Sequence, residues 1–270
     1  MTLDTFKDKT AVITGAASGI GLALAQALAR QGAHLMLADL DAENLNSAVH
    51  PLRALGVRVE AMTVDVSRRE EVLRLGDQAF RHFGQVHLLC NNAGVATGGP
   101  LHTARTEDWQ WVLGVNLWGV IHGIEAFASR MVAQGVPAHV VNTASMAGLI
   151  ASRDLGIYNA SKAAVVSLSE TLARDLKETS VGVSVLCPMG VKTRIIDSER
   201  NRPEWAPRSG AANAPPPLVG RWLDPDGVAE RVLEAVRVGE LFILTHHEGR
   251  EFWERRAARI TQGFPPPPRE

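Results

Sequence analysis

Residues 10–21 read Thr10-Ala11-Val12-Ile13-Thr14-Gly15-Ala16-Ala17-Ser18-Gly19-Ile20-Gly21, and this stretch decides the predicted fold. Its apolar, β-branched run 10–14 predicts a buried strand, and the Ala- and Leu-rich residues 22–30 predict a helix. A strand, a glycine turn and a helix N-terminus form an anion site, because free amides and the helix dipole both face the anion. The glycine spacing G-x-x-x-G-x-G alone leaves a second interpretation open, a simple tight turn.

The same alternation of apolar runs and helical patterns continues along the chain. Further strands are predicted at residues 33–38, 57–66, 86–90, 138–145, 181–186 and 241–244. Helices are predicted at residues 42–55, 67–83, 106–134, 156–177, 225–238 and 248–260, with Asp41, Ser67 and Asp224 at three of the N-caps. This order predicts a single α/β domain over residues 1–270, with a doubly wound, mainly parallel sheet of about seven strands and helices on both faces.

Composition and charge exclude several classes of protein. Of the 270 residues, 46% are hydrophobic and 21% charged, and a net charge of −1 offers no basic field to nucleic acid or membrane. The N-terminus lacks a signal-peptide core, and no apolar run is expected to reach the ~20 residues that span a bilayer. Cys90 and Cys187 each end an apolar run, which predicts reduced core thiols of a cytoplasmic protein. No metal is expected, since the adjacent pair His246-His247 is poorly placed to share one ion.

The second predicted strand ends at an acidic residue that suits a ribose. Asp39 lies 18 residues beyond Gly21, close to the ~20-residue offset of a ribose-binding carboxylate. Its charge would repel a 2′-phosphate, and no Arg or Lys stands at positions 16–18, 40 or 41 to counter that repulsion. Helix capping is the alternative role, for which Asp41 is the better candidate. We therefore expect NAD rather than NADP.

The stretch Tyr158-Asn159-Ala160-Ser161-Lys162 contains the single tyrosine of the chain. In a helix, residues i and i+4 share a face, so the Lys162 ammonium would stand beside the Tyr158 phenol. A neighbouring positive charge favours the phenolate and lowers a pKa that is normally near 10. The pair could then exchange a proton with an alcohol or ketone. The structural alternative is an amphipathic helix with a buried Tyr and a snorkelling Lys.

Polar and small residues follow several predicted strands, at the sheet edge where open α/β sheets bind ligands. They are Asp65-Val66, Asn91-Asn92-Ala93-Gly94 and Asn142-Thr143-Ala144-Ser145, although Asn-Ala-Gly could also be a plain turn. Asn116 is different, because it lies in the middle of the predicted helix 106–134, where an amide is unfavourable. It either faces solvent or opens the helix and holds a water.

Together these motifs resemble the short-chain dehydrogenase/reductase family over roughly residues 9–244. They occur in the family's order, and Ser145 precedes Tyr158 by 13 residues, the usual separation there. The resemblance implies a Rossmann-type fold and hydride transfer between a nicotinamide cofactor and an alcohol or ketone. The matching motifs are Thr14-Gly15-x-x-x-Gly19-x-Gly21, Asp65, Asn91-Asn92-Ala93-Gly94, Asn116, Ser145 and Tyr158-x-x-x-Lys162.

The resemblance also implies residue roles. Tyr158 would be the general acid/base, and Lys162 would lower its pKa and bind the nicotinamide ribose. Ser145 would hold the substrate oxygen, and Asn116 would anchor the water of a proton relay. Asp65 would help to hold the adenine. The implied cofactor contacts are Gly15, Ser18, Gly19, Ile20, Gly21, Asp39, Leu40, Asp65, Val66, Asn92, Ala93, Gly94, Tyr158, Lys162, Pro188, Gly190, Val191 and Thr193.

One departure from the family concerns the segment after the sixth strand. The family usually has Pro-Gly there, whereas this chain has Pro188-Met189-Gly190, which places a flexible apolar side chain near the nicotinamide. The candidate substrate pocket is apolar, and it predicts a hydrophobic or aromatic secondary alcohol or its ketone. Its residues are Met146, Leu149, Leu155, Met189, Trp205 and Trp222. Both tryptophans could instead pack against the sheet or a partner subunit.

Residues 194–222 are rich in proline and predict a lid-like substrate region. Within it, residues 194–204 resemble bacterial Cα-dehydrogenases of aryl ethers. The proline-rich tail 264–270 is expected to be extended and flexible.

The same residues also bear on other functions and on assembly. A nucleotide-sugar epimerase or dehydratase also uses Tyr-x-x-x-Lys, but the chain has no separate substrate domain. A non-catalytic NAD-binding sensor or scaffold would not need Asn116, Ser145, Tyr158 and Lys162 together. The helices predicted at 106–134 and 156–177 resemble the family's four-helix dimer interface, so we expect a homo-oligomer, a dimer or more readily a tetramer. The expected partners are thus a small-molecule substrate and further copies of the chain.

Overall fold

A computed structural model describes residues 3–207 and 220–266. Its strands are β1 (Thr10–Thr14), β2 (His34–Asp39), β3 (Val59–Thr63), β4 (Leu88–Asn91), β5 (Ala138–Thr143), β6 (Val181–Cys187) and β7 (Phe242–Leu244). They form one sheet in the order β3-β2-β1-β4-β5-β6-β7, and every neighbouring pair is parallel. The predicted doubly wound sheet is confirmed. Its order reverses beside β1, so the switch point where such sheets bind ligands lies between β1 and β4.

Helices cover both faces of the sheet. They are α1 (Gly19–Arg30), α2 (Ala42–Arg53), α3 (Arg69–Phe83), α4 (Thr106–Leu113), α5 (Gly119–Ala133), α6 (Met146–Leu149), α7 (Gly156–Asp175), α8 (Pro225–Val238) and α9 (Gly249–Thr261). Neighbouring β1 residues point to opposite faces. Ile13 lies in one core cluster with Leu24 of α1 and Val232 of α8, whereas Val12 lies in another with Phe127 of α5. The sheet is therefore buried on both sides, which explains its continuous apolar strands.

Several element ends differ from the sequence prediction for a local reason. The strand predicted at 57–66 is shorter, Val59–Thr63. Ser67 is not an N-cap, because its amide and hydroxyl both donate to Asp65 Oδ1 and α3 begins two residues later. Asp224 occupies an N-cap position without a capping bond, and its carboxylate pairs with Lys192 at 2.9 Å. Asp41 does cap α2, through a bond from the Asn44 amide.

The helix predicted at 106–134 is interrupted by a π-helical turn, Gly114–Trp118. Such turns occur often at functional sites. Asn116 lies at its centre and is fully buried, so the solvent-facing alternative is wrong. The amide side chain opens the helix towards the loop after β4, where it bonds to Val95.

The run Thr106–Ala133 is, within the described residues, long and apolar enough to cross a membrane, with a mean hydropathy of 1.2. The expectation that no run reaches that length is therefore wrong on length and composition. Half of its most apolar part is buried inside the fold. His122, also buried, bonds to the Val66 carbonyl. These contacts are those of a buried core helix. Length and apolar composition alone are weak evidence for a membrane span in such a helix.

The start of the predicted lid-like region is more regular than its composition suggests. Residues Arg194–Asn201 form a 3-10 segment, while residues 208–219 and the tail from 267 lie outside the described residues. Arg202 ties this segment to α4: its guanidinium donates to Asp108 at 2.7 Å and to Glu199 at 2.6 Å. It also lies over the Trp111 ring, 4.3 Å from the centroid. The Arg202 side chain is only 6% exposed, so this is a buried anchor.

Removing the charge of Asp108 tests this anchor. Burial raises the pKa of Asp108, but hydrogen bonds from Arg202 and Arg105 outweigh it and hold the pKa below its ordinary value. The resulting stability is present above the unfolded-state pKa and is lost as pH falls through the lower folded-state pKa. We expect Asp108→Asn to lower the free energy of unfolding by about 1–3 kcal/mol at neutral pH, measured by urea denaturation.

The matched control is Asp77→Asn, which breaks the exposed pair with Arg130. An exposed ion pair contributes about 0.2–1 kcal/mol, so this variant should change little. The Asp108→Asn effect should also shrink in acid, below about pH 4. An equal loss in both variants, or a loss independent of pH, would contradict the anchor.

Candidate active site

The glycine turn between β1 and α1 is built by close backbone contacts. Gly15 and Gly19 have φ values of +68° and +55°, in the left-handed region that favours glycine. A Cβ on Gly21 would lie 2.0 Å from the Gly15 carbonyl oxygen, so no side chain fits there. A Cβ on Gly19 would lie 2.9 Å from Thr193 Cγ2. The glycines thus let the turn lie close against the start of α1, where a helix N-terminus can bind an anion.

The strand ends on either side of the switch point are joined by polar bonds. Thr14 Oγ1 accepts bonds from the amides of Asn92 and Ala93 at 3.0 and 3.1 Å. Asn92 Nδ2 donates to the carbonyls of Thr14 and Gly15. The Asn-Ala-Gly segment after β4 is therefore fixed against the glycine turn. These bonds explain why an asparagine suits position 92 of the Asn-Asn-Ala-Gly motif.

Asp39 stands at the end of β2, beside the same turn. Its carboxylate accepts bonds from the Ala17 amide at 2.9 Å and the Asp41 amide at 3.0 Å. Each carboxylate oxygen can accept more than one bond. Asp39 is therefore oriented by the backbone and retains capacity for two hydroxyl donors.

Asn116 holds the loop after Gly94 in place. Its Oδ1 accepts from the Val95 amide at 2.8 Å, and its Nδ2 donates to the Val95 carbonyl at 2.9 Å and to Ser161 Oγ at 3.1 Å. Ser161 in turn donates to the Tyr158 carbonyl. The Asn116 amide is thus hydrogen-bonded within the protein, and it does not line the cavity described below. Its part in a water relay stays a prediction.

Ser145, Tyr158 and Lys162 meet at the carboxyl ends of β5 and β6. Ser145 Oγ donates to the Pro188 carbonyl at 3.2 Å and accepts from the Ala147 amide. Lys162 Nζ donates to the Thr143 carbonyl at 2.8 Å and lies 5.6 Å from the centre of the Tyr158 ring. Lys162 is 2% exposed, which excludes the snorkelling alternative. The two side chains share a face of α7, as the i, i+4 spacing predicts.

The pKa of Tyr158 is shifted in the opposite direction to the sequence prediction. Burial raises the pKa of Tyr158 to about 12, and the smaller hydrogen-bonding effect of Ser145 lowers it. Burial also lowers the pKa of Lys162 to about 8. The lowering expected from Lys162 is not seen in this structure, in which the effect of burial on the pKa of Tyr158 outweighs that of the Ser145 hydrogen bond. Tyr158 is a phenol here at neutral pH.

These groups face one large cavity of about 1770 Å³. Part of its wall is formed by α4 and α9, which could not be predicted from the sequence because neither helix carries a recognisable motif. Leu149 does not line the cavity; it packs in the core with Val166, while Ile150 lines the wall instead. The predicted site residues in the wall are Gly15, Ser18, Gly19, Ile20, Asp39, Leu40, Asp65, Val66, Asn92, Ala93, Gly94, Ser145, Met146, Leu155, Tyr158, Lys162, Pro188, Met189, Val191, Thr193, Trp205 and Trp222.

Two predicted cofactor residues lie behind the wall. Gly21 faces the Gly15 carbonyl, and Gly190 lies against Trp222, whose Cδ2 would be 3.4 Å from an added Cβ. Met189, which stands in place of the family's glycine, approaches α9: its Sδ would be 3.3 Å from a Cβ on Gly249. The extra methionine thus packs towards the C-terminal helix.

The two histidines at 246–247 have separate surroundings. His246 is buried and its Nε2 bonds to the Arg221 carbonyl, whereas the His247 side chain is 95% exposed. Within residues 3–207 and 220–266, no group of three or more His, Cys, Asp or Glu side chains is placed to hold a metal. Cys90 and Cys187 are free and buried, which confirms them as core thiols.

The residues present fit a dinucleotide. A glycine-containing turn at the start of a twelve-residue helix suits a pyrophosphate, and Asp39 suits a ribose diol. Gly94 lies beside the ammonium, since a Cβ on Gly94 would be 3.5 Å from Lys162 Nζ. The cavity joins both regions, as an extended ligand requires.

Comparisons with known proteins agree with this geometry. The short chain dehydrogenase family matches residues 9–204. The chain is 35% identical to a C alpha-dehydrogenase of Sphingobium sp. (strain NBRC 103272 / SYK-6), over 97% of this chain and 88% of the relative. It is 42% identical to a 1-deoxy-11-beta-hydroxypentalenate dehydrogenase of Streptomyces exfoliatus, over 70% and 69%. A short chain dehydrogenase/reductase from Burkholderia phymatum, solved in complex with NAD, superposes with a TM-score of 0.90 at 43% identity, covering 98% of this chain and 99% of the other.

Proposed function

Because this chain belongs to the short-chain dehydrogenase family, we propose that it transfers a hydride between NAD(H) and a hydrophobic or aromatic secondary alcohol or its ketone. The observation that carries the proposal is the meeting of Ser145, Tyr158 and Lys162 in the cavity that also contains the glycine turn. The apolar side chains Met146, Leu155 and Met189 in the same wall support a hydrophobic substrate. Relatives named as dehydrogenases, one of them of a hydroxypentalenate, support the reaction class.

In this proposal each side chain has one task. NAD, when bound, supplies the hydride acceptor, and the protein supplies orientation and proton handling. Tyr158 holds the transferred proton on its phenol oxygen and gives it to the substrate oxygen during ketone reduction. Ser145 Oγ orients that oxygen by hydrogen bonding. Lys162 Nζ stands where it can bind the nicotinamide ribose, while Asn116 keeps the loop 94–95 clear of the cofactor path.

The choice of NAD over NADP rests on Asp39. The backbone fixes its carboxylate, which favours ribose hydroxyls and repels a 2′-phosphate. We expect Asp39→Ser to raise the ratio of kcat/KM for NADP to that for NAD by about tenfold or more, a change of ~1.4 kcal/mol. Asp41→Asn is the matched control, since it removes the neighbouring charge and keeps an N-cap. An unchanged ratio in Asp39→Ser would contradict the assignment.

A panel of secondary alcohols tests the function itself. The wild-type protein with NAD is offered aliphatic, aromatic and steroidal secondary alcohols, and NADH is followed by absorbance. Turnover of an apolar member supports the proposal. Binding of NAD without turnover of any alcohol would instead favour a sensor or scaffold, and conversion of a nucleotide sugar without net NADH would favour an epimerase or dehydratase.

Organisation and location belong to the same proposal. We propose one catalytic domain over 1–270, with the lid-like region 194–222 over the substrate. We also propose a cytoplasmic location, which the two free buried thiols support. Self-association as a dimer or tetramer is supported by Trp118, which stays 52% exposed beside α5. A monomeric mass in light scattering at working concentration would contradict the proposed self-association.

A further inference from the structure

One face of α9 forms part of the cavity wall, although no motif marks this helix. Its lining side chains recur at helical spacing: Phe252, Arg255, Arg256, Arg259 and Ile260. Three of these five carry a positive charge. The whole protein has a net charge of −1, so a general excess of basic residues does not explain this face.

The acidic side chains of α9 are committed away from the cavity. Glu254 pairs with Arg250 at 2.6 Å, and Glu251 pairs with Arg255; neither glutamate lines the wall. Arg256 and Arg259 have no ion pair or hydrogen bond to any residue in 3–207 or 220–266. The helix dipole would account for a cation in the last turn, and hence for Arg259, but not for Arg256.

The carboxylates in the cavity wall lie at one end of it. Within the described residues they are Asp39, Asp41 and Asp65, at or just after the ends of β2 and β3 and beside the proposed adenosine site. Arg194 and Arg200 belong to that end too, because both help to lower the pKa of Asp41. No Asp or Glu among the described residues lines the α9 side.

α9 begins at the opposite end, next to the reacting groups. A Cβ on Gly249 would lie 2.9 Å from Met146 Cε and 3.3 Å from Met189 Sδ, and Met146 directly follows Ser145. At a rise of 1.5 Å per residue, Arg256 and Arg259 lie roughly 10 and 15 Å along the helix axis from Gly249. A substrate that reaches from Ser145 along α9 would therefore meet apolar side chains first and guanidinium groups afterwards.

We infer that the substrate is an amphipathic anion: a hydrophobic secondary alcohol or ketone whose far end carries a carboxylate that Arg256 and Arg259 bind. This inference rests on the proposed function and names its substrate class. A guanidinium matches a carboxylate with two parallel N–H···O bonds, which a neutral amide cannot reproduce. The apolar part would lie against Phe252, Met146 and Met189.

Binding of matched ketones tests the inference without requiring turnover. The probes are phenyl ketones whose second arm is an unbranched chain ending in a carboxylate, in a series of chain lengths, beside the primary amides of the same ketones. The protein is saturated with NAD, which cannot reduce a ketone, and Kd is measured by tryptophan fluorescence. At one chain length the carboxylate should bind about tenfold more tightly than its amide, equivalent to ~1.4 kcal/mol.

Variants on the same helix assign the preference. Arg256→Gln with Arg259→Gln should abolish the carboxylate preference and leave the Kd of the amide within about twofold. Arg250→Gln is the matched control, because Arg250 is on α9 but outside the cavity wall. Higher salt should raise the Kd of the carboxylate for the wild-type protein but not for the double variant.

Equal binding of carboxylate and amide, or a preference that survives in the double variant, would overturn the inference. The inference would also be overturned if the double variant changed only the Kd of NAD, because the arginines would then bind the cofactor phosphates. Oxidation of neutral alcohols without any carboxylate preference leaves the proposed function intact and removes only the inference. Selective carboxylate binding, with no turnover of the corresponding alcohols, would instead support the anion site and contradict the proposed dehydrogenase.

Discussion

Replacement of Tyr158 by Phe is expected to lower kcat for alcohol oxidation by about 10²- to 10⁴-fold, the range that positioned acid–base groups contribute. The substitution removes one oxygen and leaves the ring against α7. Lys162 Nζ keeps its bond to the Thr143 carbonyl, since that bond does not involve the phenol. The measurement is steady-state NADH formation with the best alcohol of the panel.

Cofactor binding separates loss of chemistry from loss of the site. The Kd of NADH, from its fluorescence, should stay within about threefold of wild type in Tyr158→Phe, because the glycine turn and Asp39 are untouched. Retained turnover in the variant would show that another group moves the proton. Loss of both turnover and NADH binding would indicate a structural role for the hydroxyl.

The pH profile follows from the pKa directions in the site. Burial raises the pKa of Tyr158 to about 12, so the phenol is protonated at neutral pH. Oxidation requires the phenolate as base, and kcat/KM for the alcohol should therefore rise between pH 7 and 9. Ketone reduction requires the phenol as acid, so its kcat/KM should not rise over that range. A profile for oxidation that is already level at pH 7 would contradict a protonated Tyr158.

Motifs confined to short segments could be predicted from the sequence. The β1 strand, the glycine turn and the Tyr158–Lys162 face depend on residues within a few positions, whose periodicity or spacing carries the information. Asn116 was noticed because an amide disrupts an apolar helix, but its partner Val95 is 21 residues away. Periodicity does not encode such a pairing, so the sequence left both alternatives open.

Features that depend on distant residues were missed for the same reason. Arg202 pairs with Asp108 across 94 residues of sequence, and the composition of the segment suggested only an irregular loop. The direction of the Tyr158 pKa depends on burial, which a local Tyr-x-x-x-Lys spacing does not report. Leu149 and Ile150 are adjacent, and the structure brings only Ile150 to the cavity. Leu149 is the last residue of α6, whereas Ile150 follows it in an extended conformation, so the end of the helix decides which side chain lines the wall.

Introduction of a single methyl group at Gly21 is expected to disrupt the cofactor site. In Gly21→Ala the new Cβ would lie 2.0 Å from the Gly15 carbonyl oxygen and 2.7 Å from Asn92 Nδ2, distances at which backbone must move. Both neighbours are fixed, since Asn92 Nδ2 donates to the Thr14 and Gly15 carbonyls. We expect the free energy of unfolding to fall by about 3 kcal/mol, the upper part of the range for overpacking, and the Kd of NADH to rise.

Gly227→Ala is the matched control, because a Cβ there meets nothing within 4 Å and the residue lies inside α8. Alanine is the better helix former by about 0.5–1 kcal/mol, so this variant should be as stable as wild type or more so. Urea denaturation and NADH titration of both variants separate the effect of the close contact at residue 21 from the effect of replacing any glycine by alanine. If Gly21→Ala bound NADH like wild type, the tight turn would not be what shapes the anion site. If both variants lost equal stability, the close contact with Gly15 would not be the cause.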